Sequence, residues 1–129
     1  MPVLCPFCGT HAERSIHCGE HWWITPNRYP YKGFRHHLLV VPFRHILSIR
    51  GVMPDESAEL FTMLQWAEKH FQIPGGGVLM RFGDPAYNES SVPHLHLHIV
   101  VPDGTVELKT IFYRDRPPGM MAPSFREPK

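Results

Sequence analysis

The chain lacks the charge imbalance and the long apolar segments that mark several broad classes of protein. Its 13 basic and 12 acidic residues leave a net charge of +1, so no extended basic surface for nucleic acid or a membrane is expected. No apolar run approaches the roughly 18 residues that a membrane-spanning helix needs. The first residues, Met1-Pro2-Val3-Leu4-Cys5, lack the basic and apolar regions of a signal peptide. We therefore expect a cytoplasmic location, with no membrane partner and no broad binding to nucleic acid.

Cysteine is also scarce and unevenly placed. Only three cysteines occur among 129 residues, and Cys5 and Cys8 form a C-x-x-C pair. An odd number of cysteines in a chain without a signal peptide favours metal or redox chemistry over a disulfide scaffold. A thioredoxin-like redox pair would open a helix after a strand, and no such pattern surrounds this one. Metal binding is therefore the preferred interpretation.

Length and composition predict one folded domain. A chain of 129 residues that is 43% hydrophobic is long enough for one core but not for two. We assign residues 1–113 to this domain and residues 114–129, which contain four prolines, to an irregular C-terminal tail. The mixture of short apolar runs with one helical pattern predicts an α+β fold. It consists of an antiparallel sheet of about five strands with one main helix packed on it.

Apolar periodicity locates the predicted helix and strands. A helix is predicted from Asp55, acting as its N-cap, to about His70, with Glu56 and Glu59 beside its positive end. Its core-facing residues recur at three- and four-residue spacing: Leu60, Met63, Leu64, Ala67 and Phe71. Residues 31–37 are predicted to form a basic and aromatic loop. The predicted strands are 22–25, 38–41, 78–82, 94–100 and an edge strand at 105–113.

Three alternating histidines are the strongest functional feature of the sequence. His94, His96 and His98 are separated by leucines, so on an extended strand they share one face. At about 3.3 Å per residue the outer two lie roughly 13 Å apart, whereas a metal holds its ligands about 2 Å away. A straight strand therefore cannot place all three on one ion. The pattern predicts a metal ligand at one end, a reactive group in the middle, and a phosphate or substrate contact.

These residues resemble a known family. The run from His94 to Val100 matches the His-φ-His-φ-His-φ-φ signature of the histidine-triad superfamily of nucleotide hydrolases and transferases. Residues 38–45 resemble that family's strand that ends in a proline, two variable positions and a histidine. Residues 27–31 resemble the branch that contains dinucleoside-polyphosphate phosphorylases. The resemblance covers roughly residues 5–102 and implies a histidine-triad fold, a nucleotide substrate and a homodimer.

The middle histidine is the predicted nucleophile. Imidazole is partly unprotonated at neutral pH and forms a phosphoramidate that is readily attacked again. A neighbouring backbone carbonyl can accept the Nδ1–H of His96, which leaves Nε2 for attack at phosphorus. The resemblance implies a covalent nucleotidyl-histidine as the product. We expect His98 to contact the phosphate or the leaving oxygen.

Residues in nearby loops are predicted to bind the substrate. Ser91 stands where the resemblance places a hydroxyl on the phosphate. The phosphorylase branch implies that Asn27 contacts the ribose hydroxyls. This chain has Gly83 where the family usually has Asn or Gln, and Arg81 is predicted to supply the missing phosphate contact. The complete set of predicted substrate-binding residues is Asn27, Arg81, Asn88, Ser90 and Ser91.

A structural zinc ion is the predicted cofactor, and two sites can be drawn for it. Both use Cys5 and Cys8, and both would give a tetrahedral set of thiolates and imidazoles. The other two ligands would be Cys18 and His21 in a local site, or His45 and His94 in a long-range site. The long-range site is the one that the resemblance implies for members that keep the C-x-x-C pair, and it is preferred.

Several functions are compatible with these residues. The preferred one is a hydrolase acting on a dinucleoside polyphosphate or a nucleoside phosphoramidate. A nucleotidyltransferase or phosphorylase would use inorganic phosphate as the acceptor instead. In a metal hydrolase, His94 and His96 would bind a catalytic zinc ion. A non-catalytic module would bind a nucleotide or a protein and use zinc only for stability.

Overall fold

The computed structural model describes residues 5–8, 14–28, 33–88 and 92–104. Its strands are β1 (His17–Cys18), β2 (Trp22–Pro26), β3 (Phe34–Pro42), β4 (Gly77–Arg81) and β5 (His96–Pro102). They form one antiparallel sheet in the order β1-β2-β3-β5-β4. The helices are α1 (Pro54–His70), the short α2 (Pro85–Asn88) and a 3-10 turn at Ile49–Gly51. This architecture confirms the predicted α+β fold.

The main core lies between the sheet and α1. Alternate residues of β2, β3 and β5 point towards the helix because successive side chains of a strand face opposite ways. In α1, Met63 and Ala67 are fully buried, and Leu60, Leu64 and Phe71 pack at the margin, which confirms the predicted stripe. The sheet residues of this core are Trp22, Ile24, Leu38, Val40, Leu97 and Ile99.

A second core covers the opposite face of the sheet. Trp23, Leu39 and Val41 point to this side, and Phe7 from the N-terminal segment packs against them. The histidines of β5 lie on this face, and only 5% of His96 and 5% of His98 is exposed. The face that carries these histidines is therefore also packed, since the N-terminal segment covers it.

The start of α1 differs from the prediction. The helix begins at Pro54, whose fixed φ suits the first helical position, and the N-cap is Met53 rather than Asp55. The Glu56 carboxylate accepts a hydrogen bond from the Met53 backbone N–H at 2.8 Å, which satisfies the helix end. The Glu59 carboxylate accepts three backbone N–H groups, at 2.7, 2.7 and 2.8 Å, from Glu20, His21 and Trp22. Glu59 thus joins α1 to the turn between β1 and β2.

Two strand boundaries also differ, and both affect the site. β3 begins at Phe34, so His37 belongs to a strand and not to the predicted loop. β5 begins at His96, and His94 lies in the bend that precedes it, with its N–H bonded to the Val92 carbonyl. The predicted edge strand, the domain boundary at residue 113 and the C-terminal tail lie outside the described residues. Among the described helices, none is long and apolar enough to span a membrane.

Candidate active site and metal centre

Four side chains from three separate segments meet beside the histidine strand. The sulfur atoms of Cys5 and Cys8, Nδ1 of His94 and a ring nitrogen of His45 lie within 4.8 Å of one another. Three distances between these atoms are short: Cys5 Sγ to His94 Nδ1 is 3.4 Å, Cys8 Sγ to His45 Nδ1 is 3.3 Å, and the two histidine Nδ1 atoms are 3.1 Å apart. The chain therefore assembles the ligand set of the long-range site.

The spacing of these atoms fits a tetrahedral metal ion. Zinc–sulfur bonds of about 2.3 Å and zinc–nitrogen bonds of about 2.1 Å place neighbouring ligand atoms roughly 3.4 to 3.7 Å apart. The observed Cys–His separations of 3.3 to 3.5 Å agree with that spacing. His94 Nε2 is 2.9 Å from the Pro42 carbonyl, so it carries the ring proton and leaves the Nδ1 lone pair for a metal. This cluster can bind a metal ion.

The local alternative is not assembled in the part of the chain that the structure describes. Cys18 is exposed and donates its thiol hydrogen to Ser15 Oγ at 3.3 Å. The backbone of His21 is bound by Glu59. Among the described residues, the only group of three or more metal-binding side chains is Cys5, Cys8, His45 and His94.

A backbone hydrogen bond orients His96. Its Nδ1 lies 2.7 Å from the carbonyl oxygen of His94, which can only accept, so Nδ1 carries the proton. This is the bond expected from the sequence. In the neutral ring the lone pair is then on Nε2. The Phe7 ring packs edge-on against the His96 ring at 5.0 Å between centroids and limits its rotation.

His98 is bonded to a fourth histidine. Its Nδ1 lies 2.7 Å from Nε2 of His37, which is 5% exposed and occupies the same face of β3. The Asn27 side-chain nitrogen Nδ2 lies 3.1 Å from the same Nε2, and the Asn27 backbone N–H donates to the His37 carbonyl at 2.8 Å. Asn27, His37 and His98 therefore form a chain of polar contacts that leads to His96, whose ring is 5.0 Å from that of His98.

Burial keeps these histidines neutral at neutral pH. Desolvation and, to a smaller extent, the Arg81 charge together lower the pKa of His37 to about 4. Desolvation, with repulsion from His96, His37 and Arg81, lowers the pKa of His98 to about 3. The pKa of His96 is also lowered by burial, although its bond to the His94 carbonyl opposes the shift. The positive charge of the site must therefore come from other residues.

A pocket of about 240 Å³ opens over His96 and His98. Its wall is formed on one side by the N-terminal segment and on the other by the two residues after β2, by β3 and by the residues before β5. The remaining lining residues are Pro6, Phe7, Arg14, Asn27, Arg28, Leu39 and Val92. Because apolar side chains surround the two histidines and a few polar groups, the pocket has the character of a small-molecule site.

The other predicted substrate-binding residues have different locations. Arg81 pairs with His96 across β4 and β5, so it is beside the nucleophile candidate, although it does not line the described pocket. Asn88 is buried in α2 and donates from Nδ2 to the Phe82 carbonyl at 2.8 Å, which shapes the loop before β5. Ser90 and Ser91 lie outside the described residues.

Two residues of the site were missed from the sequence: His37, which contacts His98, and Arg14, which lines the pocket. His37 was assigned to a loop, although it alternates with Leu39 and Val41 in the same period as the histidine strand, and this signal could have revealed it. Arg14 belongs to an N-terminal segment without periodicity. No sequence signal marks it.

Comparisons with known proteins agree with this geometry. Residues 3–111 match the family described as "Scavenger mRNA decapping enzyme C-term binding". A HIT family hydrolase from Legionella pneumophila Philadelphia 1 is 23% identical with a TM-score of 0.59, over 82% of this chain and 96% of that chain. A Zn-bound histidine triad family protein from Mycobacterium smegmatis is 25% identical with a TM-score of 0.52, over 70% of this chain and 67% of that chain. Because the family match spans most of the sequence, this chain belongs to the scavenger mRNA decapping enzyme C-terminal family and, with it, to the histidine-triad superfamily.

Proposed function

We propose that this protein is a nucleotide hydrolase that cleaves a dinucleoside polyphosphate or a nucleoside phosphoramidate through a nucleotidyl-histidine. The observation that carries the proposal is the 2.7 Å bond from His96 Nδ1 to the His94 carbonyl, beside a pocket that both His96 and His98 line. That bond leaves the Nε2 lone pair as the nucleophile. Family membership supports the same class of reaction.

The reaction has two steps. In the first, His96 Nε2 bonds to the phosphorus of the nucleotidyl group, and the bond from phosphorus to the leaving oxygen or nitrogen breaks. The Nε2–H of His98 donates a hydrogen bond to the leaving oxygen or nitrogen and stays on His98; its proton is on Nε2 when His37 donates to its Nδ1. The leaving phosphate departs with the electron pair, whereas a leaving amine takes a proton from solvent. In the second step, water attacks phosphorus and gives its proton to solvent, and the electron pair of the histidine–phosphorus bond returns to His96 Nε2. The histidine–phosphorus bond breaks, and the mononucleotide leaves.

The binding residues act by position and charge, which carry most of phosphoryl transfer. Asn27 binds the ribose hydroxyls from the pocket wall, and Arg81 binds the phosphate at His96. Asn88 holds the loop that leads to Ser90 and Ser91, which contribute hydroxyls to the same phosphate.

We further propose that the metal is a structural zinc ion held by Cys5, Cys8, His45 and His94. A zinc ion there supplies folding energy by joining the N-terminal segment to the residues before β5. The zinc-bound relative from Mycobacterium smegmatis supports this choice of metal. The protein is proposed to be a cytoplasmic homodimer, like many members of its superfamily.

Two other functions are compatible with the same site residues. In a nucleotidyltransferase, inorganic phosphate replaces water in the second step, and the resemblance of residues 27–31 to the phosphorylase branch favours this. A nucleoside diphosphate that forms only when phosphate is added would establish it. In a non-catalytic zinc-stabilised module, the pocket would bind nucleotide or a protein without turnover.

The test is trapping of the covalent intermediate. Protein incubated with radiolabelled nucleotides should acquire label that is stable to alkali and labile to acid. His96→Asn should abolish both label and turnover by several orders of magnitude, as loss of a nucleophile commonly does. His36→Asn is the matched control because His36 lies on β3 but packs against Phe71 on the helix face. Near-normal turnover by His96→Asn would refute the mechanism.

A further inference from the structure

The pocket contains an arginine that pairs with no acidic side chain in the described part of the chain. Arg14 lines the pocket with His96 and His98. It is partly buried, and it forms no ion pair with any acidic side chain in the described ranges. Because the pKa values of His37 and His98 lie well below neutrality, Arg14 and Arg28 are the positively charged side chains among the described residues that line the pocket.

Three contacts hold the Arg14 guanidinium in place. Its Nη1 donates to the Pro6 carbonyl at 3.1 Å. Its Cζ lies 5.9 Å from the Phe7 ring centroid and 5.8 Å from that of Trp23. Aromatic faces attract a guanidinium, and the planar group keeps further N–H donors for a ligand after one is used. The cation is therefore preorganised, and little side-chain freedom remains to be lost when it binds an anion.

Arg14 and His96 both contact the same aromatic ring, that of Phe7. The Phe7 ring contacts Arg14 on one side and the His96 ring, 5.0 Å away, on another. Arg81 approaches His96 from the neighbouring strand β4, whereas Trp23 beneath Arg14 belongs to β2, on the other side of β5. The nucleophile candidate thus has a cation on each side. Arg81 is placed to contact the phosphate under attack, and Arg14 is placed to contact a second phosphate.

We propose that Arg14 is a specificity-determining residue that binds the phosphate of the leaving group and selects phosphoanhydrides over phosphoramidates. This inference rests on the proposed function and names its substrate class. As the His96–phosphorus bond forms and the bridging phosphorus–oxygen bond breaks, the electron pair stays on the leaving phosphate, whose negative charge Arg14 stabilises. A phosphoramidate releases an amine, which takes a proton and presents no anion to Arg14.

The kinetic test compares two substrates that share one transferred group. Diadenosine tetraphosphate and an adenosine phosphoramidate should be measured with wild type, Arg14→Ala and Arg14→Lys. We expect Arg14→Ala to lower kcat/KM for the tetraphosphate by roughly 30- to 100-fold and to change the phosphoramidate rate less than about threefold. Arg14→Lys should recover part of the loss, because it keeps the charge without the planar fork. Arg50→Ala, an exposed position in the 3-10 turn, is the control for charge alone.

A binding measurement separates this inference from the proposed function. Wild type should bind ADP more tightly than AMP in calorimetry, and Arg14→Ala should reduce that preference at least about tenfold with AMP affinity unchanged. This readout needs no turnover, so a protein that hydrolyses neither substrate refutes the proposed function and still tests Arg14. Equal losses on both substrates, or an ADP preference unchanged in Arg14→Ala, would overturn the inference. Circular dichroism should show that the variants are folded.

Discussion

Replacement of His37 tests whether the fourth histidine controls the proton on His98. His37→Leu removes the ring nitrogen that lies 2.7 Å from His98 Nδ1, and His37→Gln places an amide N–H near the position of Nε2. We expect the leucine variant to lose activity and the glutamine variant to keep most of it. The reason is that only a donor at this position directs the His98 proton to Nε2.

The expected size follows from the burial of the pair. A neutral hydrogen bond contributes about 0.5 to 1.5 kcal/mol net, and a buried group left without its partner costs about 1 to 3 kcal/mol. If about 1.4 kcal/mol of this cost is added to the activation free energy, kcat decreases about tenfold. His37→Gln should stay within about threefold of wild type. Both losses are far smaller than that expected for His96→Asn.

Steady-state kinetics on the substrate that wild type turns over provides the assay. The free energy of unfolding, from urea denaturation, shows whether each variant is folded at the assay temperature. A leucine variant as active as wild type would show that His37 does not orient His98. Equal losses in both variants would show that shape, and not the donor, matters at this position.

Two further predictions concern the metal and acid stability. Metal analysis should find about one zinc ion per chain. His45→Ala should lower both the zinc content and the melting temperature, because a structural site contributes directly to folding. Loss of zinc in Cys18→Ser, and not in His45→Ala, would identify the local site instead. His37, which faces His98 and Arg81, has its pKa lowered to about 4, so the unfolded chain binds a proton below about pH 6.5 that the folded chain does not. As the pH is lowered from 7 to 5, the free energy of unfolding should therefore decrease by about 1 to 2 kcal/mol more in wild type than in His37→Gln. This range allows for solvent in the open pocket. An equal decrease in both proteins would contradict the lowered pKa of His37.

Local patterns determined most of the fold. The stripe on α1 has a period that only a helix buries on one side, and the alternation of His96 and His98 with leucines has the period of a strand. Both patterns survive in the structure because tertiary packing buries the faces that they define. The sequence-based prediction of the N-cap of α1 was wrong. There Pro54 sets the first turn, and Glu56 satisfies the end that Asp55 was expected to cap.

Only the tertiary structure decided which distant residues meet. Sequence spacing cannot show that His37 contacts His98, 61 positions away, because that contact depends on the register of β3 against β5. The choice between two sets of metal ligands likewise depended on where the chain returns after β3. Arg14 has no pattern at all, and its place in the pocket follows from the packing of Phe7 on Trp23. The sequence by itself determined the histidine strand and the core stripe of α1, since these patterns are local. The partners of that strand are set by long-range pairing and burial, which no short stretch of sequence contains.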